Sequence, residues 1–122
     1  MPTHFIRELD TIKKMILSLA AMVEDNLRLA MKSVIERDAK LALQVIETDH
    51  DIDREEVRVE EECLKVLALY QPVANDLRFT VAILKINHDI ERIGDLAVNI
   101  GERALTLTRH PPLPRDFQLQ RL

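Results

Sequence analysis

The stretch Ile83-Leu84-Lys85-Ile86-Asn87-His88-Asp89-Ile90-Glu91-Arg92-Ile93-Gly94-Asp95-Leu96-Ala97 decides the fold. Its isoleucines recur at steps of three and four, the spacing that keeps side chains on one face of an α-helix. Followed in both directions, the stripe takes in Phe79, Ile83, Ile86, Ile90, Ile93, Ala97, Ile100, Ala104 and Leu107, so a helix is predicted over 73–108. On a wheel of about 100° per residue, His88, Glu91, Asp95 and Asn99 gather opposite that stripe. The first part of the helix is also apolar there, at Leu77, Val81 and Leu84, which predicts cover on both faces.

Upstream, Gln71-Pro72 ends another helix, because the residue before proline is pushed out of helical geometry. That second helix, predicted over 39–69, has the seam Ala42, Val45, Ile52, Val59, Cys63, Val66 and Tyr70, with Asp49 and Glu56 at seam positions of their own. Acids in a seam belong at a groove edge or opposite something positive. Before it, Glu36-Arg37-Asp38 breaks the chain and Asp38 is placed to cap. The first helix is predicted over 5–35, with Thr3 as its cap and a stripe of Leu9, Ile12, Ile16, Leu19, Val23 and Ala30 that Asn26 interrupts. Three helices of about 30 residues with connections of a few residues run up-down-up. The fold class is therefore all-α, an antiparallel three-helix bundle over 1–109. His110-Pro111-Pro112-Leu113-Pro114 reads as a proline-rich linker, and 115–122 as the start of a further helix.

Composition excludes several classes. The 122 residues suffice for one core; 47% are hydrophobic, 31% charged and 3% aromatic, and both glycines lie inside the third helix. A sheet protein would need turn glycines and β-favouring side chains. A net charge of −4 with both signs interleaved leaves no basic surface for nucleic acid. No apolar run approaches the roughly 20 residues that span a bilayer, so no direct membrane insertion is expected. The one cysteine, Cys63, lies on an apolar face and fits a reducing, cytoplasmic setting as packing.

The chemistry lies in two acidic pairs, Asp49 with Asp53 and Glu91 with Asp95, each four residues apart on successive helices. Like charges one turn apart cost an isolated helix roughly 0.2–0.5 kcal/mol. Such pairs are either a solvated face or oxygen ligands for a hard cation, and carboxylates suit divalent or iron ions. His88 is either a ligand or a surface neighbour of Glu91. Asn99 is either an amide ligand or the end of the stripe. Gly94 and Gly101, seven apart, mark a face where a helix or an ion comes close to the backbone. Glu47-x-x-His50 matches the unit of di-metal bundles, but the third helix has no second copy of it. No catalytic arrangement is visible, and no enzyme is expected.

Several of these words together resemble the PhoU family: Asp49-His50-Asp51-Ile52-Asp53, Glu61-Glu62-Cys63-Leu64, Gln71-Pro72-Val73-Ala74-Asn75-Asp76-Leu77-Arg78, and Asp89 through Ile100 with its Glu91-Arg92-Ile93-Gly94-Asp95 core. The resemblance runs from about Phe5 to Leu113. It implies a cytoplasmic negative regulator of the phosphate response, acting between the phosphate ABC transporter with its ATPase and a sensor histidine kinase. It also implies two tandem three-helix repeats, of which this chain holds one, so a homodimer would replace the missing half. Some family members hold iron or other metal clusters through Glu/Asp-x-x-x-Asp motifs, which fall here on Asp49, Asp53, Glu91 and Asp95. The alternatives are a metal-binding bundle without a signalling role, or a structural dimerisation repeat.

Overall fold

A computed structural model describes residues 3–109. It contains α1 (Thr3–Ile35), α2 (Ala39–Tyr70) and α3 (Ala74–Thr108), each packed on both others. The linker and further helix expected over 110–122 lie outside the described residues. At 1.5 Å per residue the three helices are rods of about 50 Å.

The turns follow from local chemistry. Arg37 takes the left-handed conformation at φ 53°, and the Asp38 N–H donates to the Ser33 carbonyl at 3.0 Å, which closes the end of α1. Asp38 then starts α2, its carboxylate accepting from the backbone N–H of Lys40 at 3.0 Å and Leu41 at 3.2 Å. Arg37 also donates to the Leu107 carbonyl at 2.6 Å, tying this turn to the last turn of α3. At the other end Gln71 caps α2 in the left-handed region and Pro72 follows. Thr3 is already helical, and Val73 starts α3 without a side-chain cap.

Large side chains fill one half of the bundle: Phe5, Ile12, Ile16, Leu19 and Val23 from α1, Ile52, Val59, Cys63 and Val66 from α2, Ile83 and Ile90 from α3. The Phe5 and Tyr70 rings stack tilted with centroids 4.9 Å apart. The other half is built of small residues, Ala30, Val45 and Ala97. Between the halves, buried Asn26 donates to the Val45 carbonyl at 3.1 Å. Burial raises the Cys63 thiol to about 11, with Glu62 and Glu60 adding to it, so it packs as expected.

The predicted phase of α3 needs correction. Ile83, Ile90, Ala97 and Ala104 are buried as expected, but Ile86, Ile93 and Leu107 are exposed. Their place in the seam is taken by Thr80, Asn87, Gly94 and Gly101, a column repeating every seven residues. A Cβ on Gly101 would lie 3.3 Å from Val45 Cγ1 and 3.4 Å from the Ala42 carbonyl oxygen. The glycines let α2 come close, and close approach turns the small column inward and the outer isoleucines toward solvent. The expected cover over Leu77 and Val81 is not supplied by the described residues, among which they are 40% and 38% exposed.

Candidate functional site: an acidic seam between α2 and α3

Heptad periodicity gives α2 its own seam column, Ala42, Asp49, Glu56 and Cys63, and this column faces the small column of α3. Ala42 lies against Gly101. Asp49 and Glu56 both reach Gly94: a Cβ there would meet Asp49 Oδ1 at 3.6 Å, Glu56 Oε1 at 3.7 Å and Ile52 at 3.8 Å. Asn87 donates from α3 to the Glu56 carbonyl at 3.0 Å. A glycine opposite two carboxylates explains how acids fit a helix seam at all. No side chain from α3 competes for the space.

Asp49 is half-buried, while Asp53, Glu91 and Asp95 are exposed. The charges of all four act on a fifth acid, Glu56. Burial first, then the charges of Asp53, Glu91, Asp49 and Asp95, push the Glu56 carboxyl up from 4.5 to about 7. Burial, then Asp53 and Asp95, likewise raise Asp49 from 3.8 to about 6, with His50 acting the other way. The stripes of the two helices therefore converge. On α3 the acids flank the seam on the side of α2 and do not lie opposite the core, because the core column of α3 is turned toward α2.

Glu56 is the site residue that sequence reasoning left out. Its signal was present as an acid at a seam position, but the pairing four residues apart drew attention to Asp49 and Asp53. His88 is exposed, with Nδ1 4.0 Å from Glu91 Oε2, as a surface neighbour would be. Asn99 is exposed and is not drawn into the cluster. Glu47 and His50 both face outward, so Glu47-x-x-His50 does not form a di-metal core. Beside the acids, Val81, Leu84, Lys85, His88 and Asp89 line a shallow depression of about 390 Å³.

The donor chemistry suits a hard cation. Each acid of the seam offers oxygen, and Asp49 Oδ1 and Glu56 Oε1 are buried without a hydrogen-bond donor. Among the described residues no three His, Cys, Asp or Glu side chains are gathered tightly enough to hold one ion as they stand. Binding would therefore recruit the exposed Asp53, Glu91 or Asp95 by side-chain rotation, with water completing the shell. No described helix is long and apolar enough to cross a membrane.

Comparison with known proteins adds a family to this geometry. Residues 16–104 match the PhoU domain family. The chain is 41% identical over 107 residues to the phosphate-specific transport system accessory protein PhoU homolog of Aquifex aeolicus, covering 88% of this chain and 48% of that protein. It is 39% identical over 114 residues to the homolog of Pseudomonas putida, covering 93% and 44%. With the phosphate-specific transport system accessory protein PhoU of Serratia marcescens it shares 37% identity over 119 residues, covering 98% and 49%. The chain spans about half the length of these curated relatives. On the family match and these identities, it belongs to the PhoU family.

Proposed function

We propose that this chain is a non-enzymatic regulatory adaptor of phosphate-specific transport. It works in the cytoplasm and restrains phosphate uptake and phosphate-regulon signalling by contacting the transporter's ATPase and the sensor histidine kinase. The observation that carries this reading is the family match over residues 16–104, with relatives named as accessory proteins of that transport system. The shape supports it: a rigid rod with an acidic seam and exposed apolar side chains is a surface for protein contact.

In this reading Asp49, Asp53, Glu91 and Asp95 either organise a divalent or iron ion or serve as an acidic docking patch. The partly exposed Leu77 and Val81 favour self-association as a homodimer. Pull-down of the purified chain with the transporter ATPase and with the kinase is the test. Binding to at least one is expected. Folded protein that binds neither overturns the adaptor reading.

A second reading, a metal-binding bundle without a signalling partner, draws support from the unpartnered oxygens of Asp49 and Glu56. The double variant Asp53→Ala, Asp95→Ala separates the two. Loss of metal with partner binding intact makes metal incidental to regulation; loss of both couples them.

A further inference from the structure

The Gln71-Pro72-Val73-Ala74 turn between α2 and α3 breaks three local rules at once. Val73 is the N-cap of α3, a position that serine, threonine, aspartate or asparagine fills with a hydrogen bond to the first turn; valine makes none. Gln71 at φ 44° and Ala74 at φ 51° are non-glycine residues in the left-handed region, which persists only where the surroundings enforce it. Pro72 is buried in the turn, yet its neighbours are not. Val73 is 72% and Leu69 66% exposed, the two most exposed large hydrophobics among the described residues.

The contact of the Phe5 and Tyr70 rings places the start of α1 at the same end of the rod, where Ile6 is 57% exposed. Charge there is one-sided. Glu8 is held by Lys65 at 3.4 Å and Asp10 by Lys14 at 3.0 Å, and Asp76 is half-buried. Arg7 and Arg78 are exposed and make no ion pair among the described residues. A single exposed aliphatic side chain is ordinary. Three at the end of a rod, around an uncapped and strained turn, are not explained by the fold of the chain alone.

We infer that this tip is a docking knob that enters an apolar socket rimmed by carboxylates on a protein partner. The inference rests on the adaptor reading above and names where that contact is made. Val73 and Leu69 fill the socket with Ile6 at its edge, and Arg7 and Arg78 meet the acidic rim, which sets orientation and speeds encounter. A convex tip needs a concave partner. A second copy of the chain offers no such socket among the described residues, whose depression is shallow and sets Lys85 and His88 beside Asp89.

Isothermal titration of the purified chain with the transporter ATPase and with the sensor kinase tests this. Wild type is compared with Val73→Ser, with the double variant Arg7→Glu, Arg78→Glu, and with Leu17→Ser, a similarly exposed site in the middle of α1. Urea titration gives the stability of each, and co-sedimentation with phosphatidylglycerol vesicles gives lipid binding. Val73→Ser supplies the missing cap, so its folding equilibrium constant is expected to rise about fivefold. Its affinity for the protein partner is expected to fall about tenfold. Stability and binding then move in opposite directions, which a purely structural role does not produce. The arginine variant is expected to bind about tenfold more weakly at low salt and to lose most of the salt dependence. Leu17→Ser is expected to bind as the wild type does.

If the wild type binds a partner and Val73→Ser binds it as tightly, the docking tip is refuted and the adaptor reading stands. If Val73→Ser loses vesicle binding while keeping its protein partner, the tip belongs to a lipid surface and the inference is likewise overturned. A folded wild type that binds neither protein overturns the inference and the adaptor reading together.

Discussion

Replacing Glu56 by glutamine tests the energetics of the seam in the absence of metal. The folded chain holds the Glu56 proton up to about pH 7, whereas the unfolded chain releases it near 4.5. Because the folded state binds more protons across that window, stability falls as pH rises from about 4.5 to about 7 and then levels off. A tenfold change in proton affinity corresponds to about 1.4 kcal/mol, so the ionised carboxylate costs the fold at most about 3 kcal/mol. Water reaching the outer acids reduces this to about 1–2 kcal/mol. Glutamine keeps the shape, removes the charge and offers a donor where Asp49 Oδ1 lacks one. Glu56→Gln is therefore expected to match the wild type near pH 5. At pH 8 it is expected to exceed it by about 1–2 kcal/mol, or roughly 4–8 °C in melting temperature. Circular dichroism melts in chelator-treated buffer at both pH values measure this. A variant that is equally or less stable at pH 8, with unchanged helicity, would show that Glu56 is not held in an unfavourable charged state and would refute the reasoning.

The two glycines separate cleanly. Gly101→Ala is expected to lose about 1–2 kcal/mol, because its methyl would press on Val45 and the Ala42 carbonyl, whereas Gly94→Ala in metal-free buffer at pH 5 is expected to gain about 0.5 kcal/mol from helix propensity; urea titration of both checks the order. Asn26→Asp sets a carboxylate against the Val45 carbonyl and should cost about 2–4 kcal/mol at pH 7; because burial raises the pKa of that acid, the loss grows as pH rises and shrinks toward pH 4. Val81→Asp together with Leu77→Asp should abolish the proposed self-association while leaving the monomer folded, which sedimentation velocity at high micromolar concentration reports; a wild-type chain that is monomeric there contradicts the homodimer.

Much of the bundle was legible because its signals are local. Asp38 caps α2, Pro72 ends it, and Ala42, Val45, Ile52, Val59, Cys63 and Val66 mark its seam by period alone. The third helix misled because hydrophobicity and burial part company there. Ile86 and Ile93 look like core but flank it, whereas Gly94 and Gly101 are buried for their smallness, which an apolar pattern does not register. The acidic pairs were legible as pairs. Their convergence depends on the register between α2 and α3, which the contacts of Gly94 and Asn87 set across dozens of residues of chain. Glu56 carried only a weak mark, an acid where packing alone would put alanine or leucine.

The most direct test of the acidic seam is a carbon-detected NMR titration of the side-chain carboxyl groups in metal-free protein, repeated with Asp53→Asn and Asp95→Asn. Convergence of the two stripes predicts that Asp49 titrates near 6 and Glu56 near 7, and that neutralising Asp53 or Asp95 lowers both. Titration of Glu56 near its ordinary 4.5, indifferent to both substitutions, would contradict it.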